Sequence, residues 1–222
     1  YDILGAAYMG LKNTEKTIAS YQKALQLNPN HTDAHNNMGM AFYDQGKFDE
    51  AVESYQKVIK LEPDFADAQY NLGNALKQTG NLQQAIRSYR ASLAIKPKDA
   101  EVLFNLGNAL KSYGDFNQAV ECYAEALKIS PDYTIAQTNM DNAIEEKNKL
   151  DKNIAEYSRI AKLEIDSAEV VEFTGTCLRA GGYLDAAIDS YKKAIKIKPD
   201  YAKAYNNMGT ALKEKGDTDA AI

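Results

Sequence analysis

The 222-residue chain carries 26 basic and 31 acidic residues, a formal net charge of −5, so adhesion to nucleic-acid phosphates has no electrostatic support. No apolar run is long enough to span a bilayer, and no signal-peptide pattern opens the chain. Cys122 and Cys177, far apart in sequence, read as free thiols, which favours a reducing, cytoplasmic compartment.

The chain starts inside a helix at Tyr1 without an initiator Met and stops inside another at Ile222, so flanking repeats or caps are expected beyond both ends. In between, one pattern returns every 34 residues. Gly5, Gly39, Gly73, Gly107, Gly175 and Gly209 form one column, and Tyr21, Tyr55, Tyr89, Tyr123, Tyr157 and Tyr191 a second. Pro29, Pro63, Pro97, Pro131 and Pro199 form a third, and Gly46, Gly80, Gly114, Gly182 and Gly216 a fourth. The repeats run over residues 1–31, 32–65, 66–99, 100–133, 134–167, 168–201 and, in part, 202–222.

Residues 66–99 spell out the unit. Asp67–Thr79 is predicted as a helix, with Leu72, Ala75 and Leu76 on its apolar face, and Gly80 ends it in the left-handed conformation. Leu82–Ile95 forms a second helix with Leu82, Ala85, Ile86, Tyr89 and Leu93 in one stripe, and Pro97 forbids its continuation. A glycine inside the first helix costs about 1 kcal/mol relative to alanine. Its recurrence therefore implies a close approach of the two helices. The tyrosine column reads as core, and Cys177, in a column of alanines, as a small apolar residue.

These columns resemble the tetratricopeptide repeat. In Thr32–Phe65 its signature is carried by Met38-Gly39, Phe42, Ala51, Tyr55, Val58 and Pro63. The resemblance implies an all-α, right-handed superhelical solenoid of antiparallel helix hairpins, about six full repeats plus a partial seventh. It also implies that first helices line a concave groove and second helices the convex back. Function varies widely on this scaffold. The resemblance nevertheless favours a non-catalytic protein-interaction scaffold.

The groove would be lined by first-helix residues that the core does not need. One column reads Asn37, Asn71, Asn105, Asn139, then Phe173, then Asn207. Three residues on lie Asn74, Asn108 and Asn142, with Met40, Thr176 and Thr210 in the other repeats. Asparagine is a mediocre helix former, so its repetition needs a reason. As a ladder of amides it complements the peptide groups of an extended chain. This is similar to the asparagine ladder of O-linked N-acetylglucosamine transferase. Bonds to a neighbouring repeat, or inheritance by duplication, would explain the column equally well. Tyr43, Tyr70, Phe104 and Phe173 are candidate aromatic anchors. Asp33, Asp67 and Glu101 open first helices and would repel a terminal carboxylate, so a neutral or basic segment is the expected partner.

Residues 134–167 keep the spacing but lose the signature: Asp141 and Asn148 replace the two glycines, Asn153 the small alanine, and Ile165 the proline. Because the apolar spacing survives, the first expectation is a looser hairpin. A hinge or an oligomer contact is the other. No phosphate-binding loop or nucleophile–base pair appears, so no catalytic residue, cofactor or metal is expected. His31 and His35, one helical turn apart without a third ligand, read as packing residues. Two other functions stay open: the substrate-recruiting arm of a glycosyltransferase whose catalytic domain lies beyond Ile222, and a self-assembling scaffold using terminal repeats or the fifth.

Overall fold

Helix–turn–helix units arise here because each stretch between breakers presents one apolar stripe and closes on a residue that can leave the helix. The computed structural model describes residues 1–11 and 13–216. Among these residues the secondary structure is entirely helical, in the order α1 (Asp2–Gly10), α2 (Thr14–Leu27), α3 (Thr32–Asp44), α4 (Phe48–Leu61), α5 (Ala66–Gln78) and α6 (Leu82–Ile95). It continues with α7 (Ala100–Tyr113), α8 (Phe116–Ile129), α9 (Thr134–Ala161), α10 (Ala168–Ala180), α11 (Leu184–Ile197) and α12 (Ala202–Lys215). The second helix expected at the end of the chain, through Ile222, lies outside the described residues. Two compact units emerge, Tyr1–Ala109 with Glu125–Asp132, and Leu110–Ala124 with Tyr133–Ile222.

The turn glycines behave as the sequence predicts. Gly46, Gly80, Gly114, Gly182 and Gly216 all have φ between 72° and 96°, a region that costs other L-residues about 1–2 kcal/mol.

What holds each hairpin together is the mid-helix glycine. A Cβ on Gly73 would lie 2.6 Å from the ring of Tyr89, and on Gly39 or Gly175 it would lie 2.7 Å from the rings of Tyr55 and Tyr191. Gly5 stands in the same way 2.8 Å from Tyr21. The ring occupies the space that a side chain would need. Tyr21, Tyr89 and Tyr191 are completely buried. Burying such a ring removes some 150–250 Å² from water, roughly 4–6 kcal/mol as an upper figure. That outweighs the approximately 1 kcal/mol that glycine costs the helix.

The hairpin expected over residues 134–167 does not form. Instead α9 runs unbroken for 28 residues. Asp141 stands where the glycine would have to admit the Tyr157 ring, and a Cβ there would meet the ring as it would at Gly73. Asn153 takes a site where Ala51, Ala85, Ala119 and Ala187 are fully buried, so a closed hairpin would strand its amide without water. Asn148 continues the helix where other repeats turn on glycine. With no Gly or Pro to stop it, the segment gains helical pairs, Gln137 Nε2 to Asp141 Oδ1 at 2.9 Å and Lys147 Nζ to Asp151 Oδ2 at 2.7 Å. It ends only at Lys162, the one non-glycine described residue with positive φ, 54°. Tyr157 therefore leaves the core column and is only half-buried, its ring stacked on Phe173 at 4.0 Å.

Within the second unit, the corner between α7 and α8 packs under the α10–α11 hairpin. A Cβ on Gly114 would lie 3.0 Å from the Cβ atoms of Tyr183 and Ala186. Phe116 meets the Tyr183 ring edge-on at 5.0 Å, and Leu150 of α9 joins the same apolar cluster.

Gly73→Ala should destabilise the protein by about 1–3 kcal/mol, because the ring it strikes has nowhere to go. Gly10→Ala, where nothing lies within 4 Å, should be neutral or stabilising by up to about 1 kcal/mol. Denaturant unfolding of the two variants measures both.

Candidate peptide-binding face

The side chains predicted to line a groove lie on α3, α5 and α7 in the first unit and on α9, α10 and α12 in the second. In the first unit they are Asn37, Tyr43, Tyr70, Asn71, Asn74, Phe104, Asn105 and Asn108. All are half-buried.

Neighbouring first helices are tied by pairs 35 residues apart. Asn105 Nδ2 donates to Tyr70 Oη at 3.1 Å, and Gln78 Nε2 donates to Tyr43 Oη at 3.3 Å. The second unit repeats the pattern: Arg179 Nη1 donates to Glu214 Oε1 at 2.8 Å, and Asn207 Nδ2 to Glu172 Oε1 at 2.5 Å. One 34-residue step advances a repeat, and one further residue reaches across to the adjacent helix face. Part of the asparagine column is thus structural. Asn105 spends its second N–H on the Glu101 carbonyl at 3.1 Å.

The second asparagine column has a partner inside its own hairpin. Tyr89 Oη donates to Asn74 Oδ1 at 2.7 Å, and Tyr191 Oη reaches Thr176 Oγ1 at 3.4 Å. These residues satisfy hydroxyls whose rings fill the hairpin core. Asn71 differs: it makes no hydrogen bond among the described residues, so its whole amide is available. Asn142 is exposed, and Asn139 is half-buried.

Tyr70 is an anchor of a different kind from the one expected. Its hydroxyl donates to Glu101 Oε1 at 2.7 Å while accepting from Asn105, so it braces two repeats. Burial, together with the Glu101 carboxylate, pushes that hydroxyl above the ordinary tyrosine value. Phe173 is committed to Tyr157. Acidic residues at two of the helix starts are also engaged. Asp67 pairs with Lys96 at 2.7 Å and Glu169 with Lys198 at 3.2 Å, both near the surface.

Three residues stand out that the sequence reading did not single out as site residues. Glu172 is fully buried in α10, where it accepts from Thr176 Oγ1 and Asn207 and pairs with Lys203 at 2.8 Å. That pairing raises the Lys203 ammonium above its ordinary value. Asp44 and Tyr55 line a cavity of about 120 Å³ between α3 and α5, closed by Met40, Tyr43, Asn71 and Asn74. The sequence signal was Met40 interrupting the Asn74 column; its meaning needed the cross-hairpin contact. The histidines are structural: His31 Nδ1 caps α3 at Ala34 N, and His35 bonds the Pro29 carbonyl at 2.9 Å.

Repeated hairpins clamped by a glycine–tyrosine contact, with polar first-helix faces wired side by side, define a helical-repeat interaction protein. Tetratricopeptide-repeat family models match residues 5–46, 39–80, 175–216 and 64–132, and the chain belongs to the tetratricopeptide repeat family. The matches leave out residues 133–174, the stretch that contains α9. Proteins of this family are protein–protein interaction scaffolds. A comparison with curated proteins gives no significant match. Among solved structures, the chain is similar to Pseudomonas aeruginosa pilF, at 19% identity over 92% of this chain and 93% of that one, with a TM-score of 0.59. It is similar to a tetratricopeptide repeat protein of Parabacteroides merdae, at 15% identity over 95% and 82% of the two chains, TM-score 0.59. It is also similar to YrrB, described as a TPR protein with an unusual peptide-binding site, at 18% identity over 88% and 97%, TM-score 0.53. At these identities the likeness shows the fold. Among the described residues, no helix is long and apolar enough to cross a membrane.

Asn105→Ala should lower stability by about 1 kcal/mol, because it removes the bracket between α5 and α7. Asn71→Ala should stay within about 0.5 kcal/mol of the parent, since it breaks no bond. Chemical denaturation distinguishes them.

Proposed function

We propose that the first-helix face of residues 32–109 binds an extended, neutral or basic peptide segment, and that the chain acts as a non-catalytic scaffold. The observation that carries this reading is Asn71. Half-buried one rung before Asn105, whose amide is bonded into the fold, it keeps both amide donors and its acceptor unused. A side-chain amide so placed matches the N–H and C=O of an extended backbone, and it reads main chain while tolerating many side chains. Around it, the half-exposed rings of Tyr43, Tyr70 and Phe104 offer rigid apolar area at small entropic cost. That a similar fold is described with a peptide-binding site agrees with this reading. Asp33 and Asp44 leave the surface acidic, which disfavours a segment ending in a carboxylate.

The test uses a pool of end-capped random decapeptides and fluorescence anisotropy. Asn71→Ala should weaken binding by about three- to tenfold, the loss of one or two hydrogen bonds, with the unfolding midpoint unchanged. Binding that is unaffected by this variant would contradict the ladder reading.

A further inference from the structure

The cavity between α3 and α5 sits where two regularities of the repeat fail together. In the third and sixth repeats the core tyrosine hydroxyl is met by the residue fifteen positions before it, Asn74 for Tyr89 and Thr176 for Tyr191. In the second repeat that position is Met40, which offers Tyr55 no comparable acceptor. Tyr55 is only 2% exposed, yet its hydroxyl has no hydrogen-bond partner among the described residues, and the residue lines the cavity. The other failure concerns charge. Glu214, at the end of α12, is held by Arg179, 35 residues earlier. Asp44 is the corresponding residue of α3, and 35 positions before it stands Met9, which cannot neutralise it. Asp44 has no ion pair among the described residues and lines the same cavity as Tyr55.

We propose that this cavity is a specificity subsite for one lysine or arginine side chain of the bound segment. Its cationic head rests on Asp44 and Tyr55, and its methylene stem lies against Met40 and the Tyr43 ring. The inference rests on the peptide-binding reading above and names the side chain that reading left open. The chemistry of the walls selects it. An N–H-rich cation satisfies the idle Tyr55 hydroxyl and the unpaired Asp44 carboxylate at once, and such charge-assisted bonds are about twice as strong as neutral ones. The rings of Tyr43 and Tyr55 add cation–π attraction. Met40 supplies the polarisable apolar surface that a flexible stem packs against. An acidic side chain would be repelled by Asp44, and an aliphatic one would seal Tyr55 away without a partner.

The test compares four end-capped decapeptide pools, random except for one central residue fixed as Arg, Lys, Glu or Leu, by fluorescence anisotropy on the full chain. The Arg and Lys pools should bind about tenfold more tightly than the Glu and Leu pools, as expected of a charge-assisted bond. Asp44→Asn should reduce that preference to less than about threefold. Met40→Asn should do the same by supplying the acceptor that Asn74 gives Tyr89, and without loss of stability, so a lost preference cannot be blamed on misfolding. A preference that survives both substitutions, or pools that all bind equally to the parent, would overturn the subsite and leave the peptide-binding face intact. Failure of every pool to bind would remove the peptide-binding reading itself, and the subsite with it.

Discussion

The rest of the architecture depends on the space left by a missing side chain. In four hairpins a glycine in the first helix faces the tyrosine ring of the second at a distance no Cβ tolerates, so the two helices can close over a ring that would otherwise hold them apart. The ring then presents its hydroxyl toward the first-helix face, and the identity of one residue there decides whether that hydroxyl is satisfied internally. The contact that folds each hairpin therefore also sets the chemistry of the surface above it. Satisfied by Asn74 or Thr176, the surface is closed. Left open beside Met40, it becomes a polar pocket with an apolar rim.

The same economy governs the asparagines. A column of identical residues need not do one thing. Asn105 and Asn207 reach across to the preceding repeat and hold first helices together, whereas Asn71 stays uncommitted. The column supplies an asparagine in every repeat but the first and the sixth, and the local neighbour decides whether its amide is spent. Where Tyr70 or Glu172 stands in the preceding repeat, the amide is taken. Such a mixture of structural and idle rungs suits a surface that must be rigid and still offer hydrogen bonds to a guest.

Much of this was legible in the sequence. The 34-residue columns gave the hairpins, their turns and the burial of Tyr21, Tyr55, Tyr89, Tyr123 and Tyr191. The fifth repeat was misread as a hairpin because a hairpin and a continuous helix share the same 3.6-residue periodicity, so apolar spacing alone does not separate them. The discriminating signals were the losses at Asp141, Asn148 and Asn153, which matter only once the glycine is known to face a ring. The candidate site was half legible. The residues were visible, but which amides were spent follows from offsets of 35 and 15 residues that only the packed helices reveal. Asp44 was missed for that reason: its exceptional feature is a partner, at Met9, that cannot pair.

The central claim, that the glycine–tyrosine contact decides between hairpin and continuous helix, is tested most directly by a distance across α9. Spin labels at Gln137 and Arg159, with Cys122 and Cys177 replaced, report it by pulsed electron resonance. A continuous helix places these positions about 33 Å apart, at 1.5 Å of rise per residue. Restoring the signature with Asp141→Gly, Asn148→Gly and Asn153→Ala should fold the segment back and bring them to about 10 Å, the spacing of packed helices. A short distance in the parent chain, or a long one that persists in the restored variant, would contradict the account.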